Sequence, residues 1–99
     1  TPGNWTVNAY TNDQWQTLVG SNATVATLLV SNGSSYTAEI EMALLDESGA
    51  VLAWIVPRSS ISGGTSYFVD VRSINVTGTQ TLSVKASRGG VTFLASGAS

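Results

Sequence analysis

The chain contains no cysteine and no histidine. The first absence excludes disulfides, thiolate metal sites and cysteine nucleophiles. The second removes the side chain most used as a general base and metal ligand near neutral pH. Charge is scarce as well: only 10% of residues are charged, four basic and six acidic, where about a quarter is usual. The cations are single residues, Arg58, Arg72, Lys85 and Arg88, in a chain of net charge −2. Phosphate recognition needs clustered Lys and Arg, so no nucleic-acid partner is expected. The longest apolar run, "AVLAWIV" at 50–56, is too short to cross a bilayer. "TPGNWTVNAY" has neither a basic n-region nor an apolar h-region, and its start without Met fits removal of either an initiator Met or a leader.

What remains is a 99-residue chain rich in Ser, Thr, Asn and Gly. Its length suits one domain with a single core. Four N-x-S/T sequons, at Asn4, Asn22, Asn32 and Asn75, follow from that composition rather than marking glycosylation.

Alternation predicts strands throughout and no helix. "NWTVNAY" places Trp5, Val7 and Ala9 on one face, and "QWQTLV" sets Trp15, Thr17 and Val19 against Gln16 and Leu18. "ATVATLLVSN" ends at the turn cluster "SNGSS". In "YTAEIEMALL", Tyr36, Ala38, Ile40, Met42 and Leu44 oppose Thr37, Glu39 and Glu41. Asp46-Glu47-Ser48-Gly49 fits a type I turn closed by a left-handed residue. "AVLAWIV" is apolar on both faces, as in a central strand or one whose outer face meets a partner. Pro57 should end it. "SISGGTS" reads as a loop with a buried Ile61. "YFVDVRS" sets Tyr67, Val69 and Val71 against Asp70 and Arg72, and "INVTGTQ" turns the chain into a last hairpin, "TLSVKASRGGVTFLASG". There Leu82, Val84 and Ala86, then Val91, Phe93 and Ala95, face the core. About eight short strands at this spacing indicate an all-β antiparallel sandwich, immunoglobulin-like or jelly-roll-like.

Residues that could carry chemistry are few. Glu39 and Glu41 share a strand face about 6.5–7 Å apart; a polar outer face, or one facing Arg or Lys, accounts for them better than catalysis does. Ser59-Ser60 lacks a base, the "SGG" and "RGGV" glycines lack the context of a phosphate cradle, and no D-x-D-x-D calcium loop occurs. Neither a catalytic, cofactor nor metal site is expected, and the chain is read as non-enzymatic. Trp5, Trp15 and Trp54, with Tyr10, are the candidate contact residues. Trp54, in the most apolar strand, is expected to be buried within the domain.

Residues 24–97 carry a cadence of "LLVSNGSS", "AEIEMALL", "ISGG", "VDV" and "GTQTLSVKASRGGV". It resembles small virion proteins of tailed bacteriophages, although an Asp usual in the last motif is replaced within "GTQT". The resemblance implies a capsid decoration protein on the virion surface. Its partner would be the major capsid protein lattice, and the chain would form a homo-oligomer, a trimer among the options. Residues 1–22 would serve as a docking segment. A tail or fibre module, or a carbohydrate-binding adhesive module, is the alternative.

Overall fold

The computed structural model describes residues 1–8 and 13–99. Nine strands occur among them: β1 (Pro2–Asn8), β2 (Gln16–Val19), β3 (Ala23–Asn32), β4 (Ala38–Leu45), β5 (Val51–Ile61), β6 (Thr65–Val69), β7 (Ile74–Val76), β8 (Thr81–Ala86) and β9 (Val91–Ala98). They form two antiparallel sheets. One runs β1-β9-β3-β6 with β7 also on β3, and the other runs β2-β8-β4-β5. The described residues contain no helix.

Inward residues of both sheets make one core. Val25, Leu28, Val30, Phe93 and Ala95 meet Ile40, Met42, Leu82 and Val84, all at most 1% exposed. Leu82, Val84 and Ala86, and Val91, Phe93 and Ala95, are buried as their alternation predicts. Ile61 is buried too.

The expected final hairpin is not one. β8 pairs with β2 and β4, whereas β9 pairs with β1 and β3. The turn at 87–90 therefore carries the chain from one sheet to the other. Alternation fixes which face of a strand is buried and not which strand lies beside it, so both halves of an arch read like a hairpin. The only pair of successive described strands that bond to each other is β4–β5. Its turn matches expectation: Gly49 has φ +85, Gly49 N–H donates to Asp46 O at 3.1 Å and Asp46 N–H to Ala50 O at 2.9 Å.

Other expectations are corrected by bulges. Leu18 and Val19 are both buried because the β2–β8 register slips between Thr17 and Val19. Tyr36 precedes β4 and is exposed. Pro57 does not end its strand. β5 continues to Ile61, and the register shift between Ile40 and Met42 lies opposite Pro57 and Arg58. An edge strand with a bulge tolerates the missing N–H.

Asn32, noted in the sequence only as a sequon, is 1% exposed. Its Nδ2 donates to Tyr36 O at 2.8 Å and Ile61 O at 3.0 Å. Its Oδ1 accepts from Ser34 N at 3.0 Å and Ser34 Oγ at 2.7 Å. One amide thus satisfies the connection between the sheets at β3–β4 and the end of β5, a role that buried amides can fill only with such partners.

Candidate binding surfaces

The outer face of β2-β8-β4-β5 carries most of the residues singled out above. β2 and β5 are its opposite edges, yet residues 13–15 reach across it. Asp13 accepts from Arg58 on β5, with Nη2 to Oδ2 at 3.0 Å and Nη1 to Oδ1 at 3.3 Å. Trp15 meets Trp54 with ring centroids 5.9 Å apart and planes tilted by 40°. Lys85 Nζ, on β8, sits 4.5 Å from the Trp15 centroid, a favourable cation–π placement.

Arg58 organises the acidic side of this face. Besides Asp13, it donates from Nε to Glu39 Oε2 at 2.6 Å and from Nη1 to Glu41 Oε1 at 2.8 Å. Glu39 and Glu41 share a face as their spacing predicts, and they face an arginine. Asp13, then Glu41 and Glu39, hold the Arg58 guanidinium above its ordinary range. Asp13 has φ 53, a left-handed conformation that Asp tolerates better than most residues. Both glutamates are ion-pair ligands of Arg58. Among the described residues no group of three His, Cys, Asp or Glu could hold a metal ion.

Trp54 is not buried, contrary to the expectation drawn from its apolar surroundings in sequence. It is 50% exposed, because β5 is an edge and its apolar run lies at the margin of the sandwich. Val51, Leu52 and Ala53 are exposed with it. Consecutive residues of this half-strand are exposed, so "AVLAWIV" is not a central strand. Trp5 lies elsewhere, on β1 opposite Ala95, half-buried against the core. It does not join Trp15 and Trp54. Tyr10 falls outside the described residues. The signal missed in sequence was Arg58: its three acidic partners are 19, 17 and 45 positions away, and no local pattern links them.

A second surface follows from the other sheet. No charged residue occurs in β1, β3, β6, β7 or β9. Across its outer face, register aligns Phe68, Leu29, Leu94 and Thr6 in one row. Ser66, Ser31, Thr92 and Asn8 form the next. Phe68 is 68% exposed.

No family model matches this chain, and no curated protein matches it. Solved structures do. Three are structures of infectious bursal disease virus: the Gt strain (TM-score 0.42, 11% identity), the Gx strain (0.43, 13%) and the T13 viral particle (0.41, 10%). Each match covers 98% of this chain and 29%, 30% and 31% of the other, respectively. The chain thus spans under a third of the length of the chains it matches. They come from an icosahedral virus and not from a tailed bacteriophage.

Proposed function

We propose that the chain is a non-enzymatic structural protein of a virion, a decoration protein that docks on the assembled capsid shell. The observation that carries this reading is the bare apolar half of β5. Four consecutive exposed residues, Val51–Trp54, stand on a strand edge with unpaired backbone donors and acceptors. Such an edge is an aggregation hazard unless something covers it. A lattice site made by several neighbouring shell subunits is a cover that exists only after assembly. The sequence cadence of residues 24–97 supports the same reading.

Many copies acting together would stabilise the shell even if each contact is modest. The contact would be apolar and hydroxyl in character, since Arg58 already pairs with the nearby acids. Binding should therefore change little between low and moderate salt. The test is to strip particles, add the chain back, and measure occupancy and the temperature at which shells open. Saturable binding to shells with a raised opening temperature is expected. Leu52→Lys and Trp54→Lys should abolish both. A shell that opens at the same temperature with and without the chain would sink the reading.

A carbohydrate-binding adhesive module is the second reading. It is favoured by the exposed Trp54, packed on the half-buried Trp15 beside Asp13 and Lys85, since aromatic faces can pack on sugar rings. Retention on a polysaccharide that Trp54→Ala abolishes, with no affinity for shells, would select it.

A further inference from the structure

We propose that the outer face of the five-stranded sheet is a self-association surface, which pairs two copies of this chain face to face about a two-fold axis. This inference concerns a different sheet from the shell-docking edge and stands whether or not the chain belongs to a virion.

Three features of the face point to a second copy as the occupant. The first is charge. The five strands carry no charged side chain, whereas the other sheet carries Glu39, Glu41, Arg58 and Lys85. A partner with charges at the contact would have to strip their water and leave them unpaired, which is costly. The surface that leaves nothing unpaired against this face is another uncharged one, and the chain itself supplies it. The ionisable residues Asp70 and Arg72 follow β6, outside the rows.

The second feature is that several hydroxyls of the polar rows already donate to neighbours on the same face. Ser66 Oγ donates to Ser31 Oγ at 2.7 Å, Thr92 Oγ1 to Asn8 Oδ1 at 3.0 Å, and Thr24 Oγ1 to Asn75 Oδ1 at 2.8 Å. Covering a polar group that keeps a partner costs far less than covering an orphan. These hydroxyls can therefore be covered at little cost. Between them runs the apolar row Phe68–Leu29–Leu94, with Phe68 projecting furthest into solvent. An axis along the strands, between β3 and β9, reverses the row order, so Leu29 of each copy lands over Leu94 of the other and Phe68 over Thr6. That contact is self-complementary, as a two-fold interface must be.

The third feature is size. Four strands about 4.8 Å apart, with a β9 of 8 residues at about 3.4 Å each, give roughly 500 Å² per copy. Two copies bury about 1,000 Å², near the lower bound for a specific interface. The association should accordingly be reversible, and it should stop at two because the contact consumes the same face on each copy.

Sedimentation equilibrium on the full chain tests this. A monomer–dimer equilibrium is expected, with a dissociation constant that changes less than about twofold between low and moderate salt. Phe68→Lys, and separately Leu94→Lys, should each raise that constant at least about tenfold. Leu52→Lys and Trp54→Lys should leave it unchanged. Phe68→Ser, read with a thermal melt, serves should either lysine variant fail to fold. A chain that stays monomeric at about 1 mM would overturn the proposal. So would assembly beyond two copies, or a dimer dissolved by Leu52→Lys and indifferent to the Phe68 variants.

Discussion

Asp13 and Arg58 belong to opposite margins of the four-stranded sheet, yet their side chains meet at 3.0 Å over its outer face. With the Trp15–Trp54 contact, this ion pair straps residues 13–15 across β8 and β4. Arg58 thereby ties the start of β2 to β5 and screens Glu41, whose side chain is only 10% exposed.

Removing that arginine leaves Glu41 nearly buried without a cation. Arg58→Met is expected to cost about 1–3 kcal/mol, toward the low end because the Asp13 and Glu39 pairs are largely solvated. Chemical denaturation measures it. Adding Glu41→Gln to Arg58→Met should recover part of the loss, since the stranded charge is then gone. No recovery would mean that Glu41 does not depend on Arg58.

Trp54→Ala should cost about 1–2 kcal/mol, less than the 3–5 kcal/mol of a fully buried ring. The same change should be nearly silent in a Trp15→Ala background, because the two rings cover each other. A double-mutant cycle with a coupling near zero would contradict the packing described here.

Asp46 makes an acid-sensitive turn. Its carboxylate accepts from the Ser48 hydroxyl first, and from the Ala50 and Ser48 amides, which hold its pKa below the ordinary 3.8. A depressed folded pKa means that the stabilisation is fully present above the ordinary value and disappears as pH falls through the folded one. The gap in melting temperature between the parent and Asp46→Ala should thus stay constant from neutral pH to about 4, then narrow below it. A gap that widens on acidification would reverse the assignment.

Gly97 lies against β3 beside the bulge between Val25 and Thr27. A Cβ there would stand 1.9 Å from Thr24 O, while one at Gly3 would meet nothing within 4 Å. Gly97→Ala should destabilise by about 1–3 kcal/mol or more, with Gly3→Ala within about 0.5 kcal/mol of the parent. Parallel thermal melts decide it.

These features differ in how far the sequence disclosed them. The burial of Phe93, Val84 and Ile40 was legible because alternation is a local property of the pleat. The Asp46–Gly49 turn was legible because Gly alone takes φ +85 without strain. Sheet membership of β8 and β9 was not, since pairing partners lie far off in sequence. The exposure of Trp54 was hidden for the same reason: an apolar run looks alike in a central strand and in an edge strand. The Arg58 cluster joins three segments that only the folded topology brings together.

The placement of β8 and β9 also governs when this molecule can fold. Each sits inside its sheet, β8 between β2 and β4, β9 between β1 and β3. During synthesis, every earlier strand except the β4–β5 pair and the β3 edge with β6 and β7 must wait for a neighbour not yet made. β1 in particular has no sheet to join until residues 91–98 leave the ribosome. Folding therefore stays incomplete until β9 is available, slow in the manner of chains dominated by distant pairings. A truncated chain ending before β9 would expose two sheet edges and the Phe93 cavity at once, and would meet the cell as an aggregating species rather than a smaller domain.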